Sequence, residues 1–207
     1  MFKIIYSKLV STFCKENTAK IDQTIFLMFH SIESDLFEKK SIYHMSLERF
    51  KEICLLLDEI RNEAFNENGN SINFVVTFDD GYLNYFDNAL PVLEQYSYKS
   101  IVFLIAKHLN DKTGRYINLN ILRQLLKKKL VLIGMHGYSH VDLSSLSDVD
   151  LKNELANIKK VCDTAGIETS YFSLPFGKAN DKVLTKLHES GYKDIFTSDY
   201  GFETSNK

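Results

Sequence analysis

Short apolar runs alternate with amphipathic segments along nearly the whole chain, and that alternation restricts the fold more than any other feature of the sequence. Apolar runs rich in β-branched and aromatic residues occupy 24–29, 73–78, 101–105, 131–135, 171–174 and 195–197. Between them the period is helical. Leu47, Phe50, Ile53, Leu57 and Ile60 make one stripe, and Leu151, Leu155, Ile158 and Val161 make another. Ser46 and Ser147 stand at N-cap positions, Asp150 replaces the usual Glu of a capping box, and Gly166 ends the second stripe. Shorter helices are expected around Tyr85 to Leu93, kinked or restarted at Pro91, and over 118–126 and 180–188. Strands separated by helices pair in parallel through crossovers, so the class is α/β. The spacing suits a barrel better than a long open sheet, although six strands fall short of the eight of a full one. The 207 residues fit a single domain, with 1–23 as an N-terminal extension expected to be helical.

Composition removes several function classes. A formal charge of −2 leaves no electrostatic footprint for nucleic acid, and the basic run Lys127, Lys128 and Lys129 suits the end of a helix. Cys14, Cys54 and Cys162 are odd in number and scattered, which implies free thiols in a reducing, cytoplasmic setting. Lys3 and Lys8 break the first apolar run, so neither a signal-peptide core nor a spanning helix is evident, and no membrane contact is indicated.

Chemistry concentrates where the apolar runs end. The run 73–78 finishes on Asp79, Asp80 and Gly81. Two adjacent carboxylates are costly at the end of a buried strand, and Gly81 permits a sharp turn that opens them into a cleft. Alternation along a strand sends neighbouring side chains to opposite faces, so one acid is free to bind a metal while the other handles protons. Taken alone, the same residues serve equally well as a turn capping the next helix. The run 131–135 leads into His136 and His140, whose spacing puts them on one side of a helical turn. Alone, such a pair is as often incidental; with one carboxylate it makes three ligands and leaves a position for water, the pattern of a catalytic zinc. The run 171–174 ends in Pro175, Phe176 and Gly177, a turn that exposes the backbone between, and the first run ends at His30. His44, His108 and His188 carry no such context, and His108 and His188 are expected at solvated positions.

These residues, in this order, resemble the polysaccharide deacetylases of carbohydrate esterase family four. Thr77, Phe78, Asp79, Asp80, Gly81 and Tyr82 are similar to the first motif of that family. His136 to His140 with the downstream Asp142 to Ser147 are similar to the second, and Leu174, Pro175, Phe176 and Gly177 to the third. The resemblance implies a distorted (β/α) barrel with about six or seven parallel strands and a divalent metal, usually Zn2+. It implies Asp80, His136 and His140 as metal ligands, Asp79 as general base, and the Phe176 N–H as a donor to the oxyanion. Ser173 stands where the family often has an arginine that steadies the base, and Asp199 matches the acid that partners that arginine. The final motif, a histidine acting as acid near the C-terminus, has no counterpart before Lys207. A circularly permuted subgroup, the deacetylases of poly-N-acetylglucosamine, carries that histidine at the end of its first strand. Phe26 to Ser31 resembles that segment and implies His30 as the acid. The implied activity is hydrolysis of an N-acetyl group on an amino sugar, in a glycan or a lipid-linked glycan precursor. Two rivals use the same residues: hydrolysis of another amide, such as an N-formyl or purine-breakdown substrate, and a degenerate glycan-binding domain.

Overall fold

The computed structural model describes residues 22–34, 43–68 and 71–198. Strand β1 (Asp22–Phe29) passes through His30 into β2 (Ser31–Glu33); β3 (His44–Ser46) leads into helix α1 (Leu47–Asn68) and then β4 (Ser71–Phe78). A π-turn over Tyr85–Ala89 precedes α2 (Leu90–Gln95) and β5 (Lys99–Leu104). A 3-10 turn over Ala106–Asn110 is followed by α3 (Leu119–Leu125) and β6 (Val131–Met135). The remainder is a short turn at Leu143–Ser145, α4 (Asp148–Ala165), β7 (Tyr171–Ser173), a turn at Pro175–Gly177, α5 (Asp181–Glu189) and β8 (Asp194–Phe196).

Six strands form one sheet in the order β1-β4-β5-β6-β7-β8, every pairing parallel, curled into a half-barrel. The parallel, curled sheet is what the alternation of runs led to, and its distortion from a full barrel is what the resemblance implied. Register decides which side chains face the helices. Partners side by side on adjacent strands share a face, and Leu27↔Val76, Phe29↔Phe78 and Phe78↔Val102 lie on the outer one. There Phe29 and Phe78 meet Phe50 of α1 edge-on, with centroids 5.2 and 5.9 Å away, and Phe50, Val76, Phe78 and Val102 are fully buried. The inner face carries Phe26, Val75, Thr77, Ile101, Phe103 and Gly134 in register. The Phe103 ring occupies the space a side chain at 134 would need, since a Cβ there would sit 2.4 Å from it. The Phe196 ring meets both Phe103 and Phe26 at 5.1 Å, so the two edge strands approach each other across the interior.

Local chemistry explains most element ends. The Asn118, Ser147 and Asn180 side chains each accept from backbone N–H groups of the first turn they cap, and Gly166 takes φ +69 at the end of α4. Ser147 Oγ accepts the Asp150 N–H at 3.2 Å, and Asp150 Oδ2 in turn accepts the Ser147 hydroxyl at 2.6 Å, in place of the backbone N–H that a capping box would use. Pro91 has no N–H to give, and the helix restarts beside it: a π-turn winds Tyr85–Ala89 and α2 begins at Leu90. The β2–β3 pair was not anticipated, because three-residue strands show no period. Cys54 and Cys162 are free thiols, and burial pushes them up to about 12 and about 11. Cys14, Asp199 and the expected N-terminal helix lie outside the described residues, except that Asp22 and Gln23 belong to β1. No helix among the described residues is long and apolar enough to cross a membrane.

Candidate active site

Because the strands all run one way, their C-terminal ends share a rim. Asp79 follows β4 there, and its N–H donates to the Phe29 carbonyl at 2.9 Å. The next two residues take left-handed backbone, φ +69 at Asp80 and +68 at Gly81. Asp is among the few side chains that enter this region at modest cost. A Cβ at Gly81 would come within 2.8 Å of Leu104 Cδ2. This reversal overturns the expectation that the two acids diverge to opposite faces. His136 Nε2 lies 3.9 Å from Asp79 Oδ2 and 3.6 Å from Asp80 Oδ1.

His136 is the first residue beyond β6, 2% exposed, with its N–H donating to the Leu104 carbonyl at 2.8 Å. His140 reaches the same place by another route than the expected helical turn. Gly137 at φ +79 and His140 at φ +58 make an irregular loop, which brings the two rings to 4.9 Å and His140 Nε2 to 3.3 Å from Asp80 Oδ1. The loop is held on two sides. Ala106 and Lys107 N–H groups donate to the Gly137 and Tyr138 carbonyls, each at 3.0 Å. From α4, Glu154 Oε1 accepts the Tyr138 and Ser139 N–H groups at 2.9 and 2.8 Å.

Protonation follows from burial. Desolvation holds His30, His136 and His140 below the ordinary imidazole value; for His140 the neighbouring His136 adds to the effect. His136 Nδ1 lies 2.8 Å from the Ser173 carbonyl, which only accepts, so that nitrogen carries the hydrogen. The Nε2 of neutral His136 is then a lone pair aimed toward Asp80, whose Oδ1 is buried without a hydrogen-bond partner among the described residues. One ligand atom from each of Asp80, His136 and His140 lies within 4.8 Å of the others. Two ligands on one tetrahedral zinc sit about 3.3 Å apart, longer than a hydrogen bond. The Asp80 to His140 and Asp80 to His136 separations of 3.3 and 3.6 Å fit that spacing. Nitrogen and oxygen atoms that converge without a hydrogen bond to Asp80 Oδ1 fit a cation, and one carboxylate with two imidazoles suits a divalent ion such as zinc.

Asp79 is 5% exposed, and burial pushes its carboxyl group up to about 6 against the opposing pull of His30 and the Ser173 hydroxyl. Ser173 Oγ donates to Asp79 Oδ2 at 3.0 Å, while Asp79 Oδ1 is buried with no partner among the described residues. His30, between β1 and β2, feels the charges of both acids and borders a cleft of about 150 Å³ lined by Met28, Phe29, Ser31, Tyr43 and Met45. Phe176 takes φ +61 and is 58% exposed, its ring 4.8 Å from that of His140.

An aromatic wall stands beside the acids. Tyr82 stacks on Tyr116 at 5.3 Å, with the Arg115 guanidinium over both rings. His108 lies against Tyr116 at 3.9 Å and is half-buried, not solvated as expected. His188 is exposed as expected, and His44 pairs with Glu33 at 3.2 Å. Sequence reasoning brought together Asp79, Asp80, His136 and His140 but missed Glu154 and the hydroxyl of Ser173. Glu154 left one signal: an acid three residues after Leu151 falls on the apolar stripe of its own helix.

The family model for polysaccharide deacetylases matches residues 66–195. The YxkH protein of Bacillus subtilis is 28% identical over 128 residues, which cover 61% of this chain and 45% of that protein. A peptidoglycan-N-acetylglucosamine deacetylase of Bacillus cereus is 31% identical over 124 residues, covering 59% of this chain and 55% of that one. The chain thus spans about half the length of the curated relatives it matches. Among solved structures, IcaB from Ammonifex degensii superposes with a TM-score of 0.67 at 20% identity, covering 86% of each chain, a likeness of fold. With its motifs at the strand ends of a curled parallel sheet and that match across 66–195, the chain belongs to the polysaccharide deacetylase family, carbohydrate esterase family four.

Proposed function

We propose that this chain is a metal-dependent hydrolase that removes the N-acetyl group from an amino sugar in a polysaccharide or its precursor. One observation carries the reading: the Nε2 atoms of His136 and His140 converge on a buried Asp80 oxygen that has no hydrogen-bond partner among the described residues, directly beside a second buried acid. Asp80, His136 and His140 would hold a divalent cation, Zn2+ by the donor set. When bound, that ion supplies Lewis acidity to the acetyl carbonyl and acidity to a water. Asp79 takes the proton of the attacking water, while the Ser173 hydroxyl, donating to Oδ2 at 3.0 Å, fixes the carboxylate in place. The Phe176 N–H donates to the developing oxyanion, a contact typically worth ~3 kcal/mol. The protonated form of His30, which burial makes the minor one at neutral pH, delivers a proton to the departing amine; acetate and the free amino sugar leave, Asp79 gives its proton up to solvent, and His30 takes one back. The cleft at His30 receives the sugar on that side.

The likeness to a peptidoglycan-N-acetylglucosamine deacetylase supports an N-acetylated glycan as substrate. Free thiols at both described cysteines, Cys54 and Cys162, support a reducing, cytoplasmic location, where a lipid-linked precursor or a small glycan would be the substrate. The Ser173 hydroxyl on Asp79 speaks against a degenerate binding domain, because the base keeps a hydrogen-bonded partner despite lacking the arginine. The test is a free-amine assay on N-acetylglucosamine oligomers, with N-formyl substrates in the same panel, after metal analysis of the purified chain. One equivalent of zinc and release of amine from the N-acetyl oligomers are expected. Zinc without hydrolysis of any substrate, or preference for the N-formyl compounds, replaces this reading with one of its rivals.

A further inference from the structure

We infer that Glu154 is a positioning residue for the His136–His140 pair, setting the separation of the two imidazoles and through it the affinity for the cation; the inference rests on the function proposed above. Glu154 sits on α4 among Leu151, Leu155 and Ile158, 8% exposed, and forms no ion pair among the described residues. A buried carboxylate without a cation needs several donors to be stable. All of those it has come from the loop between the two histidines. Oε1 accepts the Tyr138 N–H at 2.9 Å and the Ser139 N–H at 2.8 Å, and the Ser139 hydroxyl bridges Oε1 and Oε2 at 3.1 and 3.0 Å.

Two successive N–H groups pointing into one concavity form an anion-binding nest, and here a side chain of the same protein fills it. The fit is close on the other side as well. Gly137 holds φ +79, and a Cβ there would lie 3.6 Å from Glu154 Oε1 and 3.3 Å from Pro175 Cγ. With the 3-10 turn gripping the Gly137 and Tyr138 carbonyls, the loop is fastened from both sides, and His140 is left at φ +58 with its ring toward Asp80. Removing the carboxylate would free the Tyr138 and Ser139 N–H groups and with them the course of the chain from His136 to His140. The positive ends of those N–H groups would also lie uncompensated near a cation. Both effects weaken binding without touching a ligand.

The test uses the full chain stripped of metal, with zinc affinity measured by competition with a chromogenic chelator and ligand geometry read from the visible spectrum of the Co2+ form. Outer partners of metal ligands typically change affinity by about 10- to 100-fold. Glu154→Ala is expected to lose zinc affinity in that range and to shift the Co2+ bands, with a cooperative thermal transition retained. Glu154→Asp, which draws the carboxylate back by one methylene, is expected to fall between the two. It carries the test should the alanine variant fail to fold. Affinities of both folded variants within threefold of wild type overturn the inference while leaving the proposed function standing. A wild-type chain that binds no zinc overturns both.

Discussion

Asp79 is the residue whose environment makes the sharpest demands. Its carboxyl group ionises near pH 6 in the folded chain, against an ordinary value of 3.8. The native state therefore holds a proton that the unfolded state has already released between those values, and stability falls as pH rises through that window. The difference corresponds to about 3 kcal/mol once both states are ionised. In the metal-free chain, Asp79→Asn should be more stable than wild type at pH 7.5 by up to that amount and indistinguishable from it at pH 3.5, as urea titrations at the two values will show. If Asp79 is the base of the proposed hydrolysis, the same substitution should leave zinc stoichiometry as in wild type and lower turnover by roughly 10²- to 10⁴-fold, the usual contribution of a general base. Asp80→Ala should abolish zinc uptake in metal analysis, and turnover with it. Ser173→Ala removes the donor that favours ionised Asp79, so the acid limb of kcat/KM should move to higher pH.

At the scale of single elements, the loop from His136 to His140 shows how far spacing alone reaches. Two histidines four apart were enough to suggest a shared ligand, and the rings do meet, at 4.9 Å. The helical turn imagined for them does not form. Gly137 and the left-handed His140 make a loop that depends on Glu154 and on the turn after β5, both remote in sequence. Strand β6 makes the complementary point. Gly134 looks like a weakness within an apolar run, yet the Phe103 ring stands where its side chain would be. Gly134→Ala should cost roughly 1–3 kcal/mol through overpacking, measured by chemical denaturation. The short strands β2 and β3 left no trace in the pattern because three residues cannot display a period.

For the molecule as a whole, closure depends on aromatic rings from distant parts of the chain. Phe26 on the first strand and Phe196 on the last both belong to edges of the sheet, and their rings touch edge-on at 5.1 Å with Phe103 beneath. Phe196→Ala should destabilise the fold by about 1–2 kcal/mol, less than for a fully buried ring. Hydrogen exchange should then quicken in β1 and β8 before it does in β4 to β6. Unchanged exchange in both edges would mean that the sheet holds its curl without that contact.

By itself the sequence determined the parallel sheet, five helix positions, the ends at which polar residues collect, and the identity of the residues at the rim. Those properties follow from period, caps and strand ends, which are local and survive in the linear chain. Only the tertiary structure decided that both aspartates face one point and that a serine hydroxyl holds the second oxygen of Asp79. It alone placed a glutamate from a later helix behind the histidine pair. Each of these depends on a left-handed turn or a contact between residues far apart in sequence, and neither leaves a periodic mark.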